Sequence, residues 1–356
     1  MEKTRSGISS GKQDTAVLIS GVQLAVLICV CRLPSILFGF SGDGEEQIWS
    51  VLIGEGIRLL LCLPVCIAFA AGWTLPEGFL GGLFRWSAAF CLVLEVGRLA
   101  TDFGGFAVDT LYPGSSAFFF GGALLLLALY GTHMGLEAAA RAALPILILF
   151  SIGILLTAIG VRDEIRLIQL RPVEDSAMIW KNGFRMGLLP DELLIFLVAG
   201  RQTSGRAGKL PALTGGFGLS AVMLALASFL SGTVLGGLQR SAGYPFFKVE
   251  TLMSLSIFQR MDAWFLALWT GVLFIRCLFL LWAAKQLVAP YTKVHQKFLL
   301  PVLGAAALTA MFLLLRNDIL AQNLKAVEES GWQTAILYGL LMILWVPMIP
   351  LKRRKS

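Results

Sequence analysis

Charge is scarce in this chain. Only 14% of its 356 residues are Asp, Glu, Lys or Arg, against about 25% in an ordinary soluble domain. Histidine is scarcer: His133 and His295 are the only two, which excludes a histidine-rich metal site. The six cysteines, Cys29, Cys31, Cys62, Cys66, Cys91 and Cys277, all fall inside apolar segments, and none forms a C-x-x-C pair. Cys62 and Cys66 share a helix face and have the spacing for a metal, but buried small hydrophobes are the expected role. There is no nucleophile–base constellation, metal-ligand cluster or nucleotide loop. The glycine-rich stretches at 78–82, 121–122 and 215–218 lack a phosphate-loop context and read as places of close helix packing. No soluble domain and no low-complexity tail are visible. Enzymatic activity, a resident metal and a cofactor are therefore not expected.

What is present is apolar. Hydrophobic residues make up 57% of the chain and the mean hydropathy is +0.78, values that describe a polytopic membrane protein. The net charge of +7 does not point to nucleic acid, because the cations sit mainly in short loops and in the tail Lys352-Arg353-Arg354-Lys355. With Lys3, Arg5 and Lys12 ahead of the first apolar run, that is the positive-inside pattern. The first run is too long for a signal peptide and lacks a small-residue cleavage site, so it is expected to be retained.

Windows of about 20 apolar residues, the length needed to cross a bilayer, number about ten: 15–39, 47–71, 84–108, 115–131, 138–160, 180–200, 212–237, 262–286, 297–315 and 332–350. Trp49, Trp73, Trp86, Trp180, Trp264, Trp282 and Trp332 fall near their ends, as interfacial indoles do. An even count places both termini on one side, and their basic residues place that side in the cytoplasm. The connection carrying Asp43, Glu45 and Glu46 then falls outside. Two longer outer connections, 161–179 and 238–261, read as short interfacial helices or lids. The whole chain reads as one polytopic domain: an N-terminus at 1–14, five helices in 15–160, five in 180–350, and a basic tail at 351–356. Because five is odd, a second copy of such a unit enters upside down, giving an all-α, 5+5 inverted-repeat transporter-like fold.

Two spans are interrupted. The sixth carries Leu189-Pro190-Asp191-Glu192 near its middle, and the first carries Cys31-Arg32-Leu33-Pro34. Proline removes a backbone donor and clashes with the preceding turn, and charges at membrane depth are costly. Such breaks are tolerated where backbone lines a cavity, and in transporter-like bundles they mark binding sites. They occupy equivalent positions in the two halves. A half-helix N-terminus at a break favours an anionic group such as an amino acid's carboxylate. Glu192 is suited either to a ligand's ammonium or to carrying a coupling proton.

Ionisable pairs also lie at helical spacing. Glu55 and Arg58 are three apart, Glu95 and Arg98 three apart, and Glu137 and Arg141 four apart, so each pair can neutralise itself locally. Such a pair either makes a polar residue tolerable or serves a central cavity; the depth of Glu95 and Arg98 favours the cavity. Arg32 and Arg276 lack an acidic neighbour in sequence and must snorkel or find a carboxylate on another helix, with Asp191, Glu192, Asp102 and Glu95 as candidates. Arg32, beside the break, is placed either to hold a ligand carboxylate in a bidentate pair or to close the bundle in a structural one. The candidate ligand-binding or coupling residues are Arg32, Pro34, Glu95, Arg98, Pro190, Asp191 and Glu192.

Short motifs scattered over most of the chain complete the pattern. Gln23-Leu24 lies early in the first span; Tyr130-Gly131 is followed by Gly135-Leu136-Glu137 and Arg141. Pro172-Val173 precedes the broken span that holds Asp191-Glu192. Tyr244-Pro245 precedes Phe258-Gln259-Arg260-Met261-Asp262-Ala263, which leads to Trp269. In these the chain resembles the spore-germination permease family, the B subunits of endospore germinant receptors, within the amino acid–polyamine–organocation superfamily. It departs from that pattern at Cys31-Arg32-Leu33-Pro34, where small, glycine-rich residues are expected, and at Gln259, where Glu is expected. The resemblance implies a ligand pocket between the first, third, sixth and eighth spans and a role in sensing a small nutrient. It also implies a partly soluble A subunit and a lipoprotein C subunit as partners, in the spore inner membrane. A proton- or sodium-coupled amino acid permease shares the fold and pocket and stands as the alternative.

Overall fold

The computed structural model describes residues 19–38, 44–70, 78–170, 176–187, 198–199, 203, 209–253, 262–292 and 296–329. Pro190, Asp191, Glu192, Pro172-Val173 and the expected span at 332–350 lie outside these residues. Among the described residues the ordered elements are helices, with a single isolated bridge between Ile19 and Thr203.

Helix α1 runs Gly21–Arg32, α2 Pro34–Phe38, α3 Gly44–Ala70 and α4 Phe79–Thr110. They are followed by α5 (Ala117–Met134), α6 (Leu136–Gly160) and α7 (Ser176–Gly187). The last five are α8 (Lys209–Leu235), α9 (Pro245–Leu252), α10 (Asp262–Val288), α11 (Gln296–Arg316) and α12 (Asp318–Glu329). Seven spans among the described residues are long and apolar enough to cross a membrane, and the protein is a multi-pass, all-α membrane protein. Helix α4 is not among the seven. At 32 residues it is about 48 Å long, but it carries Arg85, Glu95, Arg98, Asp102 and Asp109. The two longer connections expected to hold short helices do so, as 3₁₀ turns at Arg162–Glu164 and Leu167–Gln169 and as α9.

The first helix starts later than its apolar run because a capping box fixes its end. The Gln23 amide donates to Ser20 Oγ at 3.2 Å, and the Ser20 amide donates to Gln23 Oε1 at 2.8 Å, satisfying two orphan donors reciprocally. The helices then pack as two groups. In the first, α3 lies along α7 and α8, and α8 along α1; in the second, α4 lies along α5, α10 and α11, and α5 along α10 and α11. Helix α6 touches both groups through α1 and α10. Glycines allow a close approach between α3 and α7. A Cβ on Gly187 would lie 2.7 Å from Ile57 Cβ, and one on Gly183 2.7 Å from Ile53 Cγ2. Two glycines four apart on one face are the small-residue packing used in membranes. Of the glycine stretches expected to pack, Gly121 and Gly216 do so: an added Cβ would meet Ala100 O at 2.4 Å and Ala25 O at 2.9 Å.

One expected interfacial indole is misplaced by sequence reasoning. Trp282 is buried, stacked on Phe279 with ring centroids 5.6 Å apart. Its position near a segment end put it at the interface, but the end of α10 around it, Leu278 to Ala284, is buried on every side. Trp49, Trp86, Trp180 and Trp264 are exposed to the surroundings of the bundle as expected.

Candidate functional site

The first span is interrupted at Leu33, as the sequence indicates, but the interruption is slight. Leu33 keeps helical dihedrals (φ −55°, ψ −33°). Pro34 has no N–H to offer the Val30 carbonyl four residues back. The Leu33 amide takes that acceptor at 3.2 Å, and Ile36 donates to the Leu33 carbonyl at 2.9 Å. Tightening to three-residue bonds takes the Cys31 and Arg32 carbonyls out of the regular ladder. The Cys31 carbonyl is taken up by a side chain from the other helix group: Arg276 Nη1 of α10 donates to it at 2.5 Å.

Arg276 reaches further. Its Nη2 donates to Glu95 Oε1 of α4 at 3.0 Å, one of the carboxylates expected for it. Glu95 is shared, since Arg98 Nε donates to its Oε2 at 2.9 Å and Arg98 Nη2 to its Oε1 at 2.8 Å. Arg98 Nη1 in turn donates to Asp102 Oδ2 at 3.0 Å. A chain of charge-assisted bonds thus runs from the interrupted backbone of α1 through α10 to one face of α4. Such bonds are about twice as strong as neutral ones, and this set joins the two helix groups.

Arg32 points the other way, into the first group. Its Nε and Nη2 both donate to Glu55 Oε1 of α3, at 2.9 and 2.5 Å, and its Nη1 donates to Ser35 Oγ at 3.0 Å. Glu55 Oε2 accepts from Ser220 Oγ of α8 at 3.0 Å, and Arg58 Nε stands 4.0 Å from Oε1. Arg58 Nη2 donates to the Met186 carbonyl near the end of α7. Glu55 was not among the carboxylates expected for Arg32. Its three-residue spacing to Arg58 suggested a self-contained pair, whereas the shorter contact in three dimensions is to Arg32. The Glu137–Arg141 pair forms as its spacing indicates, at 2.5 Å, on an exposed face.

Of the seven candidate residues, four are thus placed: Pro34 makes the break, Arg32 starts one network, and Glu95 and Arg98 lie in the other. Among the described residues, no group of three or more His, Cys, Asp or Glu is placed to hold a metal ion. Cys62 is buried. A groove of about 500 Å³ lies elsewhere, at the start of α4, between Gly78, Phe79, Gly82, Leu83, Trp86 and Tyr291. It is apolar and remote from both networks.

A family model described as spore germination protein matches residues 78–319, well over half of the chain. The chain belongs to this spore germination protein family. The resemblance read from its scattered motifs is thereby borne out. No curated protein matches the chain. The matched region takes in α4 through α11, and with them Glu95, Arg98, Asp102 and Arg276. The interrupted first span and the Arg32–Glu55 pair precede it. Sequence reasoning missed Glu55 as a partner of Arg32 and Ser220 as a partner of Glu55, and missed the Cys31 carbonyl as a partner of Arg276. A backbone acceptor carries no residue-type signal; the one available clue was that Pro34 must displace the hydrogen bonds just before it.

Proposed function

We propose that this protein is the membrane subunit of a germinant receptor, which binds a small nutrient such as an amino acid in a transporter-like pocket and helps to trigger germination. The observation that carries the reading, beside family membership, is the Arg276 junction. The two packed groups take the first two spans and the next two from each half of the chain. That arrangement favours a 5+5 inverted repeat with ten spans, the last of them at 332–350, in which one group rocks against the other. Rocking has to break or remake the Cys31–Arg276 bond, which crosses between the groups, while Glu95 holds Arg276 within its own group. A ligand that prefers one arrangement shifts the equilibrium by its differential affinity, and partner subunits read the shift.

In this reading the ligand sits between the first, third, sixth and eighth spans. Glu95 and Arg98 face it from the third, Arg32 lies at the first break, and Asp191 and Glu192 lie at the second, with Pro34 and Pro190 setting the two breaks. The partners are a partly soluble A subunit and a lipoprotein C subunit, the site of action is the spore inner membrane, both termini are cytoplasmic, and no catalysis is involved. The alternative is a proton- or sodium-coupled amino acid permease, favoured by a buried carboxylate, Glu55, beside the break; carboxylates at membrane depth are the usual carriers of coupling ions.

The deciding experiment is deletion of the gene in its source organism, followed by dipicolinate release from purified spores given panels of amino acids and sugars. Loss of release to one nutrient, with normal release to a non-nutrient trigger, supports the receptor and identifies the ligand class. Unchanged release to every nutrient overturns it, and uptake into vesicles then tests the permease.

A further inference from the structure

The short helix α9 lies outside the spans and is wedged between the helix groups. Within the first group it packs against α8 and α2, and within the second against α10. Its aromatic residues fill the seam. Phe247 meets Phe106 of α4 edge-on with centroids 4.9 Å apart, and the preceding Tyr244 meets Phe106 at 5.0 Å and Phe38 of α2 at 6.1 Å. Tyr244 Oη also donates to Asp109 Oδ2 at 3.3 Å.

Glu250 lies on the buried face of this helix, 3% exposed. Its Oε2 accepts from Trp269 Nε1 of α10 at 2.9 Å. Trp269 is itself fully buried, edge-on to Phe150 at 4.9 Å and to Phe246 at 6.3 Å. The surroundings offer no compensating cation among the described side chains. Helix α2 and residues 210–235 of α8 contain no ionisable group. On α10, Arg276 is committed to Cys31 and Glu95, two turns beyond Trp269, and Cys277 and Lys285 lie beyond it. On α4, Asp109 is held by Tyr244 and Asp102 by Arg98. On α9 itself, Lys248 is exposed.

An ionised carboxylate in an apolar site with one indole donor is strongly disfavoured. Burial accordingly pushes the Glu250 carboxyl well above the ordinary carboxylate range, the Trp269 hydrogen bond only partly opposing it. We propose that Glu250 is a proton-binding site that ties the docking of α9, and so the closure of the seam between the helix groups, to the pH of the adjacent water. The docked helix holds the neutral acid; the released helix ionises. Because the docked form has the higher proton affinity, docking is strongest below the ordinary carboxylate value of 4.5. It weakens as pH rises above that value and levels off past the raised one. This holds whether the protein signals or transports.

The test is hydrogen–deuterium exchange of the full chain in lipid nanodiscs, following the amides of α9 and correcting for the intrinsic pH dependence of exchange. As pH is raised above the ordinary carboxylate value of 4.5, corrected exchange of α9 rises by up to about tenfold per unit in the native protein until it levels off. Amides in the middle of α6 stay flat. In Glu250→Gln, which keeps an acceptor for Trp269, α9 stays protected and flat. A flat native profile overturns the proposal, and so does a Glu250→Gln profile parallel to the native one. Should that variant not fold, Trp269→Phe removes a donor that favours the carboxylate and moves the midpoint of the rise to higher pH; an unmoved midpoint overturns the proposal equally.

Discussion

The two charge networks beside the first break use the same residue types and differ in solvation and in what they join. Arg32 and Glu55 are sealed, with side chains 2% and 4% exposed. They tie together α1, α3 and α8, all within one helix group. Arg98 and Asp102 are 25% and 32% exposed, but both lie on α4; the bond that crosses to the other group, from Arg276 to the Cys31 carbonyl, is buried, with Arg276 3% exposed. A sealed ion pair is hard to break, because losing one partner leaves a charge without compensation in a low dielectric. A half-open one exchanges partners with water at less cost. The first arrangement suits a fixed frame around the break; the second is open to water at its Arg98–Asp102 end and crosses the groups to a neutral carbonyl, whose release leaves no unpaired carboxylate, and so suits a junction that opens and closes.

Removing the sealed carboxylate therefore has the largest expected effect. Glu55→Gln leaves Arg32 facing a neutral amide and costs about 3–5 kcal/mol, read as loss of monodisperse, heat-resistant protein in detergent. A loss no greater than that of Glu95→Gln would break the comparison. Next is Arg276→Gln, which strips the Cys31 carbonyl of a charged donor and costs about 1–3 kcal/mol. Nutrient-triggered dipicolinate release falls with it, and Arg276→Lys restores part of the stability but little of the response, since one ammonium does not span both acceptors as a guanidinium does. Normal release from Arg276→Gln spores would sink the junction.

Glu95→Gln has a smaller effect on stability, because Arg98 keeps Asp102; ligand response is impaired while the protein still inserts in the membrane. A double-mutant cycle between Glu95 and Arg276 sharpens the point, with a coupling of about 0.5–3 kcal/mol expected for residues in contact and additivity as the contrary result. Smallest is Glu137→Gln. That pair lies on an exposed face, so the change stays within about 0.5 kcal/mol and leaves both heat resistance and dipicolinate release unchanged.

The pairs that sequence reasoning found and those it missed divide along the same physical line. Glu95–Arg98 and Glu137–Arg141 were legible because one turn of helix fixes the approach of residues three or four apart. Arg32–Glu55 was not, although the residues are only 23 apart, because two helices can meet in any register until packing chooses one. Arg276–Glu95 spans 181 residues and was open to four candidate carboxylates until α10 was seated against α4. Glu250 drew no notice, since a glutamate on a short amphipathic connection reads as solvated; burial under Trp269 became visible only once α9 was docked.

The sequence alone determined the membrane class, the helical elements, the interruption at Pro34 and the family, for each rests on local quantities: apolar run length, a missing backbone donor, short motifs. Only the tertiary structure decided which cation meets which carboxylate, that the Cys31 carbonyl is held from the opposite group, and that Glu250 is sealed. Those outcomes depend on helix register and on burial, and a linear order of residues specifies neither until the helices have packed.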